Sequence, residues 1–124
     1  MEPHTVLLTA QIPLRSGREA ALAEAFDRLR ERSLQEPGVL SFERLAGAMG
    51  VIGTAGATGI TGTVSTVVLR EEYRDEAALD AHLAEPHTAE FLAVLPGLLA
   101  APAAVRVDRV RTVRAFDVPP AAAG

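Results

Sequence analysis

Two short helical patterns separated by a proline, within residues 70–96, are the feature that most constrains the fold. Asp75 is a good helix N-cap residue, and the spacing of apolar residues after it predicts a helix with His82 on its apolar face. Pro86 cannot continue that helix but suits the first turn of a second one. His87 therefore lies at the break between two helices, where a side chain can reach both a pocket and solvent.

Four other segments alternate apolar and polar residues in the way that is typical of β-strands. The predicted strands are residues 5–12, 39–45, 64–73 and 103–116. A helix with a capping box at Ser16 is predicted between the first two, and the parity of Val110 predicts a bulge or a change of strand partner in the fourth. The order predicts an α+β fold, a ferredoxin-like βαββαβ unit with an antiparallel sheet.

Both faces of the predicted sheet carry apolar residues. In the first strand, one face is apolar and the other is mixed, with Leu7, Thr9 and Gln11. Two helices cover only one face of a four-stranded sheet, and the other has too many apolar residues to remain in water. We therefore expect a homodimer in which two sheets pack face to face.

The length of 124 residues fits one domain, which we assign to residues 1–117. Glycine recurs at every third position from Gly47 to Gly62. The run contains no proline, so it does not indicate collagen, and it predicts a hairpin or flap insert at residues 46–63. Residues 118–124 have the composition of a C-terminal tail.

Composition excludes several classes of protein. The net charge is −4 and no basic block is present, which argues against a nucleic-acid partner. The chain has no cysteine, and all 12 basic residues are arginine, so neither a thiolate nucleophile nor a side-chain Schiff base is available. The absence of a signal-peptide pattern and of a long apolar helix predicts a cytoplasmic protein without a membrane partner.

The order of elements, with PGVLSFE at residues 37–43 and EEYRDEAALDAHLAEPHTAEFLAVLPGLL at residues 71–99, resembles the antibiotic biosynthesis monooxygenase family. The resemblance covers residues 6–113 except the insert, and it implies a dimeric α/β barrel. It also implies a cofactor-independent monooxygenase that acts with dioxygen on an aromatic polyketide-type substrate in secondary metabolism. The alternatives are a non-oxidative polyketide cyclase or isomerase, or a non-catalytic ligand-binding dimer. The absence of Asn and Trp argues against the family's haem-degrading branch.

The candidate catalytic residues are His82, His87, Tyr73 and Arg44. His82 matches the family's helix histidine, and either histidine is a candidate general base because imidazole titrates near neutral pH. Tyr73 is a candidate donor to a substrate carbonyl or phenolate, and Arg44 is a candidate to stabilise a developing anion. The alternatives are structural. The histidines would hold or cap the helices, Tyr73 would cover the core, and Arg44 would form a surface ion pair.

The candidate substrate-binding residues lie on strands and on the last helix. They are Thr9, Gln11, Phe42, Arg70 and Phe91. For Arg70 the alternative is a surface ion pair with a neighbouring glutamate. His82 and His87 have no third metal ligand nearby in the sequence, so we predict neither a metal site nor a cofactor.

Overall fold

The computed structural model describes residues 4–45, 65–111, 117 and 119–121. The predicted insert at residues 46–63, most of the predicted tail and the end of the predicted fourth strand lie outside the described residues. The elements follow the predicted order. They are β1 (Thr5–Leu14), α1 (Glu19–Ser33), β2 (Val39–Leu45), β3 (Ser65–Tyr73), α2 (Glu76–Leu83), α3 (Pro86–Val94) and β4 (Ala104–Val110). A 3₁₀ turn at Leu95–Leu98 follows α3.

The described strands form one antiparallel sheet in the order β2-β3-β1-β4. The first strand is thus central, and the two crossing helices pack on the same face, which is the predicted α+β, ferredoxin-like arrangement. The fold class is therefore confirmed. The homodimer is not tested by a single chain.

The core lies between α1, α2, α3 and one face of the sheet, which we call the covered face. β1 buries every second residue there, and α1 supplies Leu22, Ala25, Phe26 and Leu29. Fully burying one such large apolar side chain stabilises the fold by about 1.5–3 kcal/mol. The other side of the sheet, which we call the open face, carries the mixed residues of β1 that the alternation predicted.

Strand register differs from the sequence prediction at one place. β4 pairs with β1 without interruption from Ala104 to Val110, so neither the predicted bulge nor the predicted change of partner occurs over these residues. The irregularity lies in β2 instead, between Val39 and Ser41. Leu40, at this irregularity, is 54% exposed, whereas the adjacent Val39 packs against the core.

The structure confirms two of the three predicted helix-start signals. The side chain of Asp75 accepts a hydrogen bond from the amide of Ala78 at 2.8 Å, and Pro86 opens α3. The predicted capping box at Ser16 is wrong: α1 begins at Glu19, and within the described residues no side chain caps it. Gly17 instead takes a positive φ of 81° in the turn before the helix, a conformation that glycine adopts without strain.

Candidate functional site

The loop between α1 and β2 carries Glu36 to the centre of the candidate site. This loop approaches α2 closely, and the amide of Arg74 donates a hydrogen bond to the carbonyl oxygen of Gly38 at 2.8 Å. A Cβ atom on Gly38 would lie 2.3 Å from the Cβ of Ala78, so glycine is required for this approach. The close approach holds Glu36 against the break between α2 and α3.

One carboxylate oxygen of Glu36 joins both predicted histidines. Its Oε2 lies 2.9 Å from Nδ1 of His82 and 2.8 Å from Nε2 of His87. Because a carboxylate oxygen accepts hydrogen bonds, both of these ring nitrogens donate to it. His82 is only 2% exposed, whereas the side chain of His87 is 12% exposed. The two histidines therefore form one cluster with an inner and an outer member.

Thr88 fixes the turn that brings the histidines together. Its hydroxyl donates to the carbonyl oxygen of His82 at 2.7 Å, across the break between α2 and α3. Thr88 is buried, and its hydroxyl shares the His82 carbonyl oxygen with the amide of Glu85, which donates to it at 3.1 Å. The backbone around both histidines is thus held by a local hydrogen bond as well as by Glu36.

A second buried carboxylate, Glu71, lies on the other side of His82. Its Oε1 is 4.0 Å from Nε2 of His82, and it accepts a hydrogen bond from the hydroxyl of Tyr73. Burial raises the pKa of Glu71 to about 7; the Tyr73 hydrogen bond opposes this rise, and the nearby charge of Glu36 adds to it. Burial, followed by the charge of Glu71, also raises the pKa of Tyr73 far above its ordinary value. Tyr73 is therefore a neutral donor to Glu71.

Aromatic side chains form the apolar wall of the cluster. The ring of Phe42 lies 5.4 Å from the ring of His82, and it stacks on Phe26 at 5.2 Å. Phe91 meets Phe26 edge to face at 6.3 Å. The predicted substrate-binding residues Phe42 and Phe91 are thus close to the histidines, and both are core residues as well.

A groove between α1 and α3 reaches the outer histidine. Its volume is about 390 Å³, and its lining includes His87 and Phe91 from α3 and Arg28 and Arg32 from α1. A volume of this size lies in the range of small-molecule sites. His87 is therefore the member of the cluster that a ligand in the groove can contact.

The same cluster offers metal-ligating atoms. One such atom from each of Glu36, His82 and His87 lies within 4.8 Å of the other two. Imidazole nitrogen and carboxylate oxygen are ordinary ligands of zinc and related divalent ions. The arrangement can therefore act in proton transfer or in metal binding.

Four predicted site residues lie away from this cluster. Thr9, Gln11 and Arg70 are on the open face, where Arg70 pairs with Glu72 at 3.2 Å. Arg44 lies on β2 beside Leu69, and no hydrogen bond joins it to the histidines or to Tyr73 within the described residues. The structure thus brings together His82, His87 and Tyr73 and places the open-face residues on the opposite side of the sheet. Their roles in binding remain predictions.

The sequence analysis missed both carboxylates of the cluster. Glu71 had a usable signal, because strand parity puts this charged residue on the same face as Leu69 and Tyr73. Glu36 had none: it lies in a loop 46 residues before His82, and only the folded chain joins them.

Among the residues that the structure describes, no helix is long and apolar enough to cross a membrane.

Comparisons with known proteins find a matching family and solved structures with the same fold. A family model described as "Antibiotic biosynthesis monooxygenase" matches residues 5–94. Rv0793 from Mycobacterium tuberculosis is similar at 26% identity with a TM-score of 0.68, covering 92% of this chain and 97% of that one. No curated protein matches the sequence significantly.

Two further solved structures share the fold at lower identity. One is described as a putative antibiotic biosynthesis monooxygenase from Nitrosomonas europaea, with 19% identity, a TM-score of 0.71 and coverage of 90% of this chain and 94% of that one. The other is a variant of SnoaB, described as a cofactor-independent oxygenase from Streptomyces nogalater. It has 14% identity, a TM-score of 0.68 and coverage of 89% and 96%. At these identities the likeness concerns the fold alone.

Proposed function

The chain belongs to the antibiotic biosynthesis monooxygenase family, and from this premise we propose that it is a monooxygenase acting on an aromatic polyketide-type substrate with dioxygen and no cofactor. The observation that carries the proposal is the family match over residues 5–94. Family membership supports a monooxygenase-type function and a small-molecule substrate at the level of the family. SnoaB, a cofactor-independent oxygenase with the same fold, supplies the finer reaction only as an analogy.

The difference in exposure between the histidines supports His87 as the general base. His87 lines the groove between α1 and α3, so its ring can contact a bound phenol. His82 is 2% exposed and lies behind it, held by the same Glu36 oxygen. We therefore assign base catalysis to His87 and the role of positioning residue to Glu36, with His82 as the inner support.

The chemistry needs little more than deprotonation in a site that excludes water. His87 takes a proton from an electron-rich phenol or from the acidic carbon of its keto tautomer. The resulting anion transfers an electron to dioxygen, and recombination at carbon gives a hydroperoxide. Loss of water from a CH–OOH carbon leaves a carbonyl, so an anthrone and one dioxygen give an anthraquinone and one water. The protein contributes orientation, an apolar wall and stabilisation of the anion.

Cations on the facing helix support this assignment. Arg28 and Arg32 line the α1 side of the groove, opposite the α3 side that presents His87. Their guanidinium groups would stabilise a phenolate or a reduced-oxygen anion, although the side chain of Arg28 is 65% exposed and pairs with Glu24 at 3.2 Å. In this proposal these two residues take the role that the sequence analysis gave to Arg44.

We further propose a cytoplasmic homodimer in which the open faces of two sheets pack together. Leu7, Val68 and Val110 share that face with the polar Thr9 and Arg70. A second subunit would bury the apolar members and enclose the polar ones. The predicted binding roles of Thr9, Gln11 and Arg70 belong to this interface.

The test is dioxygen uptake by metal-stripped protein supplied with a panel of anthrones and hydroquinones. We expect protein-dependent uptake with one of these classes and a loss of about 100-fold or more in His87→Ala, because removal of a general base costs about 10²–10⁴-fold. His4→Ala is the matched control, since His4 is an exposed histidine at the beginning of the sequence and does not belong to the cluster.

Two results would contradict the proposal. One is uptake that His87→Ala leaves unchanged, which removes His87 as the base. The other is conversion of the substrate without dioxygen uptake and without gain of mass, which indicates a cyclase or isomerase on the same fold.

A further inference from the structure

We propose that Glu36, His82 and His87 form a binding site for a divalent transition-metal ion, with Zn²⁺ as its simplest representative. This inference goes beyond the proposed oxygenase function and does not depend on it. It rests on the geometry of three side chains that come from the α1–β2 loop, from α2 and from the start of α3. The spacing of these three residues in the sequence does not by itself predict a metal site.

The distances match a set of ligands around one ion. Oε2 of Glu36 lies 2.9 Å from Nδ1 of His82 and 2.8 Å from Nε2 of His87. Ligands at the usual zinc distances, roughly 2.0–2.1 Å, lie roughly 3.3 Å from one another in a tetrahedron. The three ligand atoms lie within 4.8 Å of one another, so small movements of the side chains convert the hydrogen-bonded cluster into a coordination shell. The metal would take the place of the two N–H protons that now point at the carboxylate, and each neutral imidazole would then carry its proton on the other ring nitrogen.

Each histidine also has a second carboxylate near its other nitrogen. Nε2 of His82 faces Glu71 at 4.0 Å, and Nδ1 of His87 faces Glu85 at 3.9 Å. Ligating histidines commonly donate their second N–H to a carboxylate, which fixes the ring and strengthens the ligand. These two distances exceed a hydrogen bond, and a small rotation of either glutamate shortens them. Both histidines thus have the surroundings of metal ligands.

The ligand types select the class of ion. Two imidazoles and one carboxylate suit zinc, iron, nickel or copper, whereas calcium and magnesium prefer oxygen ligands. Three protein ligands leave a fourth position for water or for a small anion. The outer ligand, His87, lines the groove between α1 and α3, so this position would be reached from the groove.

Metal binding competes with the proposed base. A metal on Nε2 of His87 shifts the ring proton to Nδ1, the nitrogen whose lone pair would otherwise accept the substrate proton. Zinc is therefore expected to inhibit the proposed oxygenase reaction, and metal-stripped protein is the form in which that reaction is measured. Failure of the oxygenase assay leaves the metal proposal intact, because metal binding is measured without any substrate.

The test is isothermal titration calorimetry of tag-free, metal-stripped protein with ZnCl₂ at neutral pH. We expect one zinc per chain and a melting temperature raised by about 5 °C or more at saturating zinc, since a ligand that binds only the folded state stabilises it. Glu36→Gln and His87→Gln keep the approximate size of each side chain and should weaken binding at least about tenfold. Circular dichroism confirms that each variant is folded.

Two variants serve as matched controls. Glu90→Gln removes a carboxylate from the same groove, and His4→Gln removes the third histidine of the chain, which is exposed. Both should bind zinc as the wild type does. Titration with Co²⁺ adds a spectroscopic readout, because a tetrahedral site with nitrogen ligands gives visible absorption that the two ligand variants should lose. Absence of stoichiometric binding, or equal binding by folded Glu36→Gln and His87→Gln, would overturn the proposal.

Discussion

The two faces of the sheet carry polar residues in different ways. On the covered face, Glu71 and His82 are almost fully buried; Glu71 accepts a hydrogen bond from Tyr73, and His82 is joined to Glu36, which is 46 residues away in the sequence. On the open face, Arg70 and Glu72 are neighbours on the same strand and form a partly exposed ion pair. Exposed pairs of this kind contribute little to stability, whereas buried polar groups cost free energy unless they are satisfied. The covered face therefore contains polar residues that the fold alone does not explain.

This difference indicates where function lies in one chain. A buried cluster of two histidines and two glutamates in a small α+β domain is costly to maintain, and perturbed carboxylates of this type concentrate at functional sites. The open face has ordinary surface pairs, and the proposed homodimer would cover it. Four substitutions test the contrast between the faces.

The largest effect is expected for a core substitution on the covered face. Leu69→Ala removes a side chain that is 3% exposed, and it should lower the free energy of unfolding by about 3 kcal/mol or more. Val68→Ala is the matched control, since it is the preceding residue and faces the open side. Urea denaturation gives both values. Equal losses would show that the two faces are equally buried.

The second test is the pH dependence of stability that Glu71 contributes. Burial raises the pKa of Glu71 from 4.5 to about 7, so between these values the folded state holds a proton that the unfolded state has released. Its contribution is complete below pH 4.5 and is lost as the pH rises through about 7. The shift corresponds to about 3 kcal/mol. The groups that face Glu71 are Tyr73, His82 and Glu36.

We therefore expect Glu71→Gln to gain stability relative to the wild type by about 3 kcal/mol between pH 4.5 and pH 8, in parallel denaturation curves. Glu72→Gln, one residue further along β3 on the open face, should remain parallel to the wild type. If both variants follow the wild-type profile, Glu71 is not a buried, protonated carboxyl group.

The third test concerns the close contact that holds the Glu36 loop. Gly38→Ala places a Cβ atom 2.3 Å from the Cβ of Ala78 and should cost about 1–3 kcal/mol through overpacking. At Gly97, by contrast, an added Cβ meets no atom within 4 Å in the described part of the chain. Gly97→Ala should thus be neutral or slightly stabilising. A neutral Gly38→Ala would mean that the loop does not pack on α2.

The smallest effect is expected on the open face. Arg70→Gln breaks the pair with Glu72 and should cost less than about 1 kcal/mol in dilute protein. Repeating the thermal melt at a hundredfold higher concentration probes the proposed homodimer, because burial of this pair between subunits makes stability depend on concentration. A loss above about 3 kcal/mol at both concentrations would remove the contrast between the faces.

Local patterns predicted most of the fold. Three elements followed from local signals: β1 from its alternation, α2 from the N-cap residue Asp75 and α3 from Pro86. Each of these signals depends only on residues a few positions apart. The errors came from competing local signals. Ser16 fits a capping box, but the turn at Gly17 delays the helix until Glu19.

The candidate site was predictable only in part. Helical spacing identified His82 and the break at Pro86 identified His87, whereas Glu71 was missed although strand parity could have put it on the inner face. Glu36 could not be found in this way, because its contact with His82 spans 46 residues and depends on how a loop packs on α2. Likewise, spacing could not tell that Thr9 and Arg70 lie across the sheet from the histidines, since that depends on which face the helices cover.

The most direct test of the central claim is the long-range ¹H–¹⁵N spectrum of the histidine side chains in wild type and Glu36→Gln. We predict that the wild type has the Nδ1–H form of His82 and the Nε2–H form of His87, because both nitrogens donate to Glu36. In Glu36→Gln both sets of signals should move, while those of His4 stay in place. If only one histidine responds, or neither does, Glu36 does not join them and the cluster is not one site.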